Sequence, residues 1–177
     1  SPDGRTLAYN LNAMPYLLDV ESGLGQSVPL EAFASRLGRT FLMVVFPTWA
    51  PDGAAVAWKL YDQTGWIGTA SYSLRTGEWS LLNEYFATMS QEPYGQLAFS
   101  PDGRWLALAN QNDPALPGRA PALWVVPLDG AALDETREAV LLGAGVRPVW
   151  SPDSTRLIFT QPPPQGGGVE QDKLVLV

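Results

Sequence analysis

The apolar positions of this chain fall into short runs with no helical spacing, and clusters of turn residues separate them. The clearest runs are Leu7-Ala8-Tyr9, Val56-Ala57-Trp58, Leu106-Ala107-Leu108 and Leu157-Ile158-Phe159. Each is apolar on successive residues, hence on both faces of an extended strand, as expected where a sheet is covered on both sides. Alanine on one face would let a neighbouring sheet approach closely.

All four runs follow the same turn. SPDGRTLAYN at 1–10, APDGAAVAWK at 50–59, SPDGRWLALA at 100–109 and SPDSTRLIFT at 151–160 align without gaps. Pro2, Pro51, Pro101 and Pro152 recur at intervals of 49, 50 and 51 residues. Asp3, Asp52, Asp102 and Asp153 come next, then Gly4, Gly53 and Gly103, with Ser154 as the departure. Proline presets φ, aspartate bonds the backbone ahead of it, and glycine supplies positive φ, so this is a tight turn between two strands. A short apolar segment ending in Trp49, Phe99 or Trp150 precedes it.

A third strand is expected at 16–18, 70–74, 123–126 and 173–177, closed by turns at 21–23, 75–77 and 129–130. A fourth is readable at 79–82 and 138–142, and in the first unit somewhere after Gln26. Pro127 removes a ladder donor, which predicts a bulge or an edge-like position there. Short helical turns fit 31–37 and 83–89. Four antiparallel strands in a period near 50 residues describe the blade of a β-propeller, an all-β fold. The repeats run at about 1–49, 50–99, 100–150 and 151–177 of a single propeller segment.

The motif carries a resemblance. Val149-Trp150-Ser151-Pro152-Asp153, Phe99-Ser100-Pro101-Asp102-Gly103 and Leu128-Asp129-Gly130 are similar to the repeats of the TolB-like, or WD40-like, bacterial β-propellers. The resemblance spans the whole chain and speaks for fold far more than for function. The chain opens on the turn after a first strand and stops after a third. It is expected to hold three strands, two full blades and three more strands, about three and a half blades of a larger ring. A four-bladed ring and a half-ring completed by a second copy are the alternatives.

Composition narrows the function classes. The net charge is −7 and the 11 Lys and Arg are scattered singly, which argues against nucleic acid. There is no Cys and no His, so thiol chemistry, Cys/His zinc sites and a Ser-His-Asp triad within the chain are excluded, and no cofactor is expected. No apolar run is long enough to span a membrane. The recurrent Asp residues are expected to serve turns, and the acidic cluster Asp134, Glu135 and Glu138 a solvated hairpin end.

Loops 110–122 and 161–171, the latter with Pro162-Pro163-Pro164, read as polar surface connections. The connection 83–95 is richer in aromatics. Tyr85, Phe86 and Tyr94 there, with Trp66 after Thr64-Gly65, are the candidate binding residues for a protein or peptide partner. The expected function is a non-catalytic, TolB-like scaffold. The alternative is the substrate-gating propeller of a serine peptidase resembling prolyl oligopeptidase, which needs a Gly-x-Ser-x-Gly elbow outside these residues. The resemblance implies a periplasmic or extracytoplasmic setting, and open blade edges imply self-association.

Overall fold

The computed structural model describes residues 1–39, 42–86, 96–110, 115–116, 120–128, 139–161 and 173–177. The chain divides into two compact units, Ser1–Glu84 and Tyr85–Val177, each built on two antiparallel sheets.

The first sheet has the order β1-β2-β3: β1 (Thr6–Leu11), β2 (Met14–Asp19) and β3 (Gly25–Ser27). The second has the order β4-β5-β6-β7: β4 (Met43–Trp49), β5 (Ala55–Tyr61), β6 (Trp66–Ser73) and β7 (Trp79–Phe86). The third runs β8 (Leu97–Phe99), β9 (Trp105–Asn110), β10 (Ala122–Pro127) and β11 (Val140–Ala144). The fourth holds β12 (Val146–Trp150), β13 (Leu157–Gln161) and β14 (Lys173–Leu176). Three strands, two sets of four and three more is the distribution the repeat predicts, and each sheet is a β-propeller blade.

In the first unit the buried face of β5 (Val56, Trp58 and Leu60) meets Ala8, Leu17 and the segment after β3. That segment forms α1 (Glu31–Arg36), as expected for 31–37. Six residues without a side-chain cap cannot hold a helix unaided, so tertiary contacts must. Phe33 stacks on Trp79 with ring centroids 5.6 Å apart, and the Arg36 guanidinium lies 5.2 Å above the Phe33 ring. Arg36 donates to the Trp79 carbonyl at 2.6 Å, while the Trp79 indole N–H donates to the Pro29 carbonyl at 2.6 Å. Trp58 and Tyr72 close on the same indole at 5.3 Å each. One tryptophan thus ties the connecting segment to the second blade. In the second unit Ala107 and Ala109 lie against Leu157 and Phe159 of the next sheet, the close approach that small residues permit. The Trp150 indole donates to the Ala98 carbonyl at 2.9 Å.

Three expectations are corrected in detail, and a fourth holds in one of its two forms. The fourth strand of the second blade does not stop at 82: residues 83–86 continue β7, because hairpin pairing with β6 satisfies their backbone better than an isolated helical turn. The third strand starts at Trp66, not Ala70, since Tyr61 to Lys59 of β5 offer partners to Ile67 through Thr69. In the third blade the fourth strand is shifted to Val140–Ala144. Finally, of the bulge or edge-like position expected at Pro127, the structure has the second. The register of β10 against β11 breaks between Leu123 and Trp124, and Pro127 ends the strand. The Leu128 N–H donates to Arg104 of the neighbouring hairpin at 2.6 Å, so the nitrogen of Pro127 points the other way. Pairing of β10 with β11 has ended there, at Val125 with Val140, and the position is edge-like as expected. The acidic cluster, the three-proline run and residues 87–89 lie outside the described residues.

Candidate functional site

The recurring turn is built the same way wherever serine opens it. Ser1, Ser100 and Ser151 donate their hydroxyls to Asp3, Asp102 and Asp153 at 2.5–2.6 Å. Each hydroxyl accepts in return from the N–H five residues on, of Thr6, Trp105 or Arg156, at 2.8–3.0 Å. The carboxylate then accepts the N–H two residues after it, from Arg5, Arg104 or Thr155, at 3.1 Å. The second repeat has Ala50 in place of serine and keeps the Ala54 N–H to Asp52 bond at 2.9 Å.

Hydrogen bonding to the charged form holds these acids below the usual carboxylate range. For Asp3 the Ser1 hydroxyl is the main cause and the Arg5 N–H the next. For Asp102 the order is the Ser100 hydroxyl, then the Arg104 N–H. Asp153 is lowered to about 2, by the Ser151 hydroxyl first and by the Thr155 hydroxyl and N–H after it. Asp19 is lowered by Ser22, whose hydroxyl and N–H bond it at 2.6 and 2.7 Å across the next turn. Acids lowered this way are ionised acceptors at neutral pH, unsuited to general acid chemistry there.

The departure from the motif has a reason. Ser154 takes the positive-φ place of glycine at φ +61°, and its hydroxyl accepts from the Asp102 N–H at 3.0 Å. In the first unit the matching place is Gly53, where an added β carbon would lie 3.7 Å from Pro2. Within each unit the two turns therefore sit side by side, and in the second unit serine bridges them.

At the other end of the second blade the connection from α1 is clipped to the loop between β5 and β6. Arg39 bonds Asp62 at 3.0 Å, the two side chains 20% and 8% exposed. The other carboxylate oxygen of Asp62 accepts from the Thr64 N–H at 2.8 Å and hydroxyl at 2.7 Å. Arg39 thereby fixes the approach to Trp66, which opens β6. Tyr85 and Phe86 close β7, and because β6 and β7 form a hairpin these backbone positions lie at the same end of the sheet. The side chains of Trp66, Tyr85 and Phe86, and all of Tyr94, lie outside the described part of the structure. Pro2, Gly4, Pro51, Pro101 and Gly103 stand in the turns as expected, with Gly4, Gly53 and Gly103 at φ +71° to +73°.

Two features escape a reading of the repeat. In β4 and β12 the register slips by one residue, at Phe46-Pro47 and Arg147-Pro148, three and two residues before the strand-ending Trp49 and Trp150. The X-Pro pair in a first strand is the visible signal, absent from the third blade, which has Gln96-Leu97 there. Among the described residues no group of three or more acidic side chains is placed to hold a metal ion. No helix among them is long and apolar enough to cross a membrane.

Four-stranded antiparallel blades repeated along the chain define a β-propeller, and known structures bear out the TolB-like likeness read from the motif at the level of fold. The structure is similar to TolB from Acinetobacter baumannii, with a TM-score of 0.61 and 17% identity over 99% of this chain and 38% of that one. It is similar to the β-propeller domain of the Trilobed protease from Pyrococcus furiosus, with a TM-score of 0.59 and 11% identity over 97% of this chain and 48% of that one. It is also similar to the acylaminoacyl peptidase of Pyrococcus horikoshii, with a TM-score of 0.56 and 12% identity over 97% of this chain and 28% of that one. The chain thus spans less than half the length of each. No family model matches the sequence, and no curated protein matches it.

Proposed function

We propose that the chain is a non-catalytic β-propeller scaffold that binds a protein or peptide partner, in the manner of TolB and in an extracytoplasmic setting. One observation carries this reading. All four acids of the recurring motif accept hydrogen bonds from their own turns, so the repeated polar chemistry is used to make rigid blades. A rigid frame with loops at the opposite end of each sheet is suited to presenting a surface. The likeness to TolB over 99% of the chain supports the same reading.

Site-specific photo-crosslinking tests it. A benzophenone residue at Trp66, Tyr85, Phe86 or Tyr94 should capture a defined partner in the producing cell. The same group at Arg5 or Arg104, on the turn end, should not. Equal capture from both ends, or none from the first set, sinks the assignment.

The likeness to two peptidases supports a second reading, a substrate-gating propeller attached to a serine hydrolase. A fluorophosphonate probe decides that: labelling of the polypeptide that carries this chain, at a Gly-x-Ser-x-Gly serine, replaces the scaffold reading.

A further inference from the structure

The slips in β4 and β12 are one device used twice. Val45 pairs with Lys59 and Thr48 with Ala57, which leaves Phe46-Pro47 opposite Trp58 alone. Val146 pairs with Thr160 and Val149 with Ile158, which leaves Arg147-Pro148 opposite Phe159. The first residue of each bulge has φ +55°. Glycine is usual at a left-handed bulge position, and another residue there carries a strain of about 1–2 kcal/mol. The bulge itself has a packing cause. It occurs opposite a buried aromatic ring, and β8, which faces Leu108, keeps a regular register.

Packing does not explain the side chains carried on it. Phe46 is 45% exposed, and Arg147 is exposed. Glycine would serve the backbone better, yet the two repeats hold an aromatic and a cation outward on the same strained geometry. Constant backbone with differing exposed chemistry suits contact with something outside the fold. Among the described residues no ion pair or side-chain hydrogen bond engages Arg147. Val149, 62% exposed, stands two residues on, so the guanidinium has an apolar neighbour. What sets Arg147 apart is its place on the positive-φ bulge, which holds it outward, and its planar fork matches a carboxylate.

We propose that these bulges are display positions of the binding scaffold. Arg147 is the contact for a carboxylate, flanked by an apolar group, on an extended peptide segment of the partner. Phe46, on the corresponding bulge of the first unit, is a separate contact that takes an apolar side chain. The inference rests on the scaffold reading and adds the chemistry of the partner to it.

The test uses a phage-displayed random-peptide library selected on the 177-residue chain. Selected peptides are measured by fluorescence anisotropy against wild type, Arg147→Gly, Arg147→Glu and Phe46→Gly. Glycine is the residue the backbone prefers at both places, so these variants keep the fold, checked by an unchanged or raised Tm. Selection should enrich peptides with Asp or Glu beside an apolar residue. Arg147→Gly should weaken them by about tenfold or more, the worth of one charge-assisted bond. Arg147→Glu should turn the selection towards Lys and Arg. Peptides without an acidic preference, or with affinities indifferent to Arg147→Gly, overturn the inference. If such peptides respond to Trp66 or Tyr85 instead, the scaffold reading survives alone. If no peptide is enriched, both fall.

Discussion

Replacing Gly145 with alanine should destabilise the second unit, because this single residue separates β11 from β12. A β carbon at 145 would lie 2.6 and 2.9 Å from the Cδ2 and Cε2 atoms of Phe159 and 3.2 Å from the Cβ of Leu123. Ordinary carbon contacts are about 3.5–4.0 Å, so something must move by nearly an ångström. The Phe159 ring is 4% exposed and held by Ala107, Leu123 and Leu157, which leaves it nowhere to swing. The backbone is equally pinned, since the Gly145 N–H donates to the Pro121 carbonyl at 2.9 Å. Overpacking of this kind costs about 1–3 kcal/mol. Loss of unfolded-state freedom on going from glycine to alanine returns about 0.4–1 kcal/mol. The expected net loss is about 1–2 kcal/mol. Phe159→Leu, which copies Leu108 of the third blade, removes the clashing ring edge and alone costs a similar amount as a large-to-small change. The double variant should then be more stable than the two losses added together, with a coupling of at least about 1 kcal/mol. Urea unfolding followed by tryptophan fluorescence and far-UV circular dichroism measures all four corners. A wild-type midpoint for Gly145→Ala, or strict additivity in the cycle, would refute the packing argument.

The turn circuit makes a paired prediction. Ser100 is fully buried and makes two bonds, so Ser100→Ala should cost about 1–2 kcal/mol, while Ala50→Ser should add up to about 1 kcal/mol by completing the second turn. Opposite shifts of the urea midpoint are the readout. The acids set the pH dependence: Asp3, Asp102 and Asp153 are lowered in the native state, so their contribution is complete above about pH 4 and is lost as pH falls through the native value. For Asp153 the window runs from about 4 down to about 2, and Asp153→Asn should flatten the acid limb of the stability profile there while leaving its slope near neutrality alone. Trp79→Phe deletes the indole donor to the Pro29 carbonyl, a loss of about 0.5–1.5 kcal/mol. Amide exchange in α1 should rise while that of β9 stays put; uniform acceleration would contradict the local role assigned to this indole.

The blades, their number of strands and the turns between first and second strands were legible in the residues alone. Those features rest on local physics. Proline, aspartate and glycine restrict their own backbone, and a doubly apolar run has few conformations other than a buried strand. Repetition multiplied a weak signal at Pro2, Pro51, Pro101 and Pro152 into a strong one. Strand limits were less legible: Trp66 and residues 83–86 join strands only because a neighbour offers them partners, and partners are a property of the sheet. The short helix at 31–37 was foreseen from its residues, but its anchor was not, since Phe33, Arg36 and Pro29 meet Trp79 across some 43 to 50 residues of chain. The Ser154 bridge to Asp102 was likewise hidden, appearing in the sequence only as a departure from glycine. Phe46 and Arg147 show the division most clearly. Their prolines are plain to see, yet the outward, left-handed display of the two side chains follows from the ring each bulge must face, Trp58 in one unit and Phe159 in the other. Local preference sets which conformations a segment can take; the neighbour it packs against selects among them.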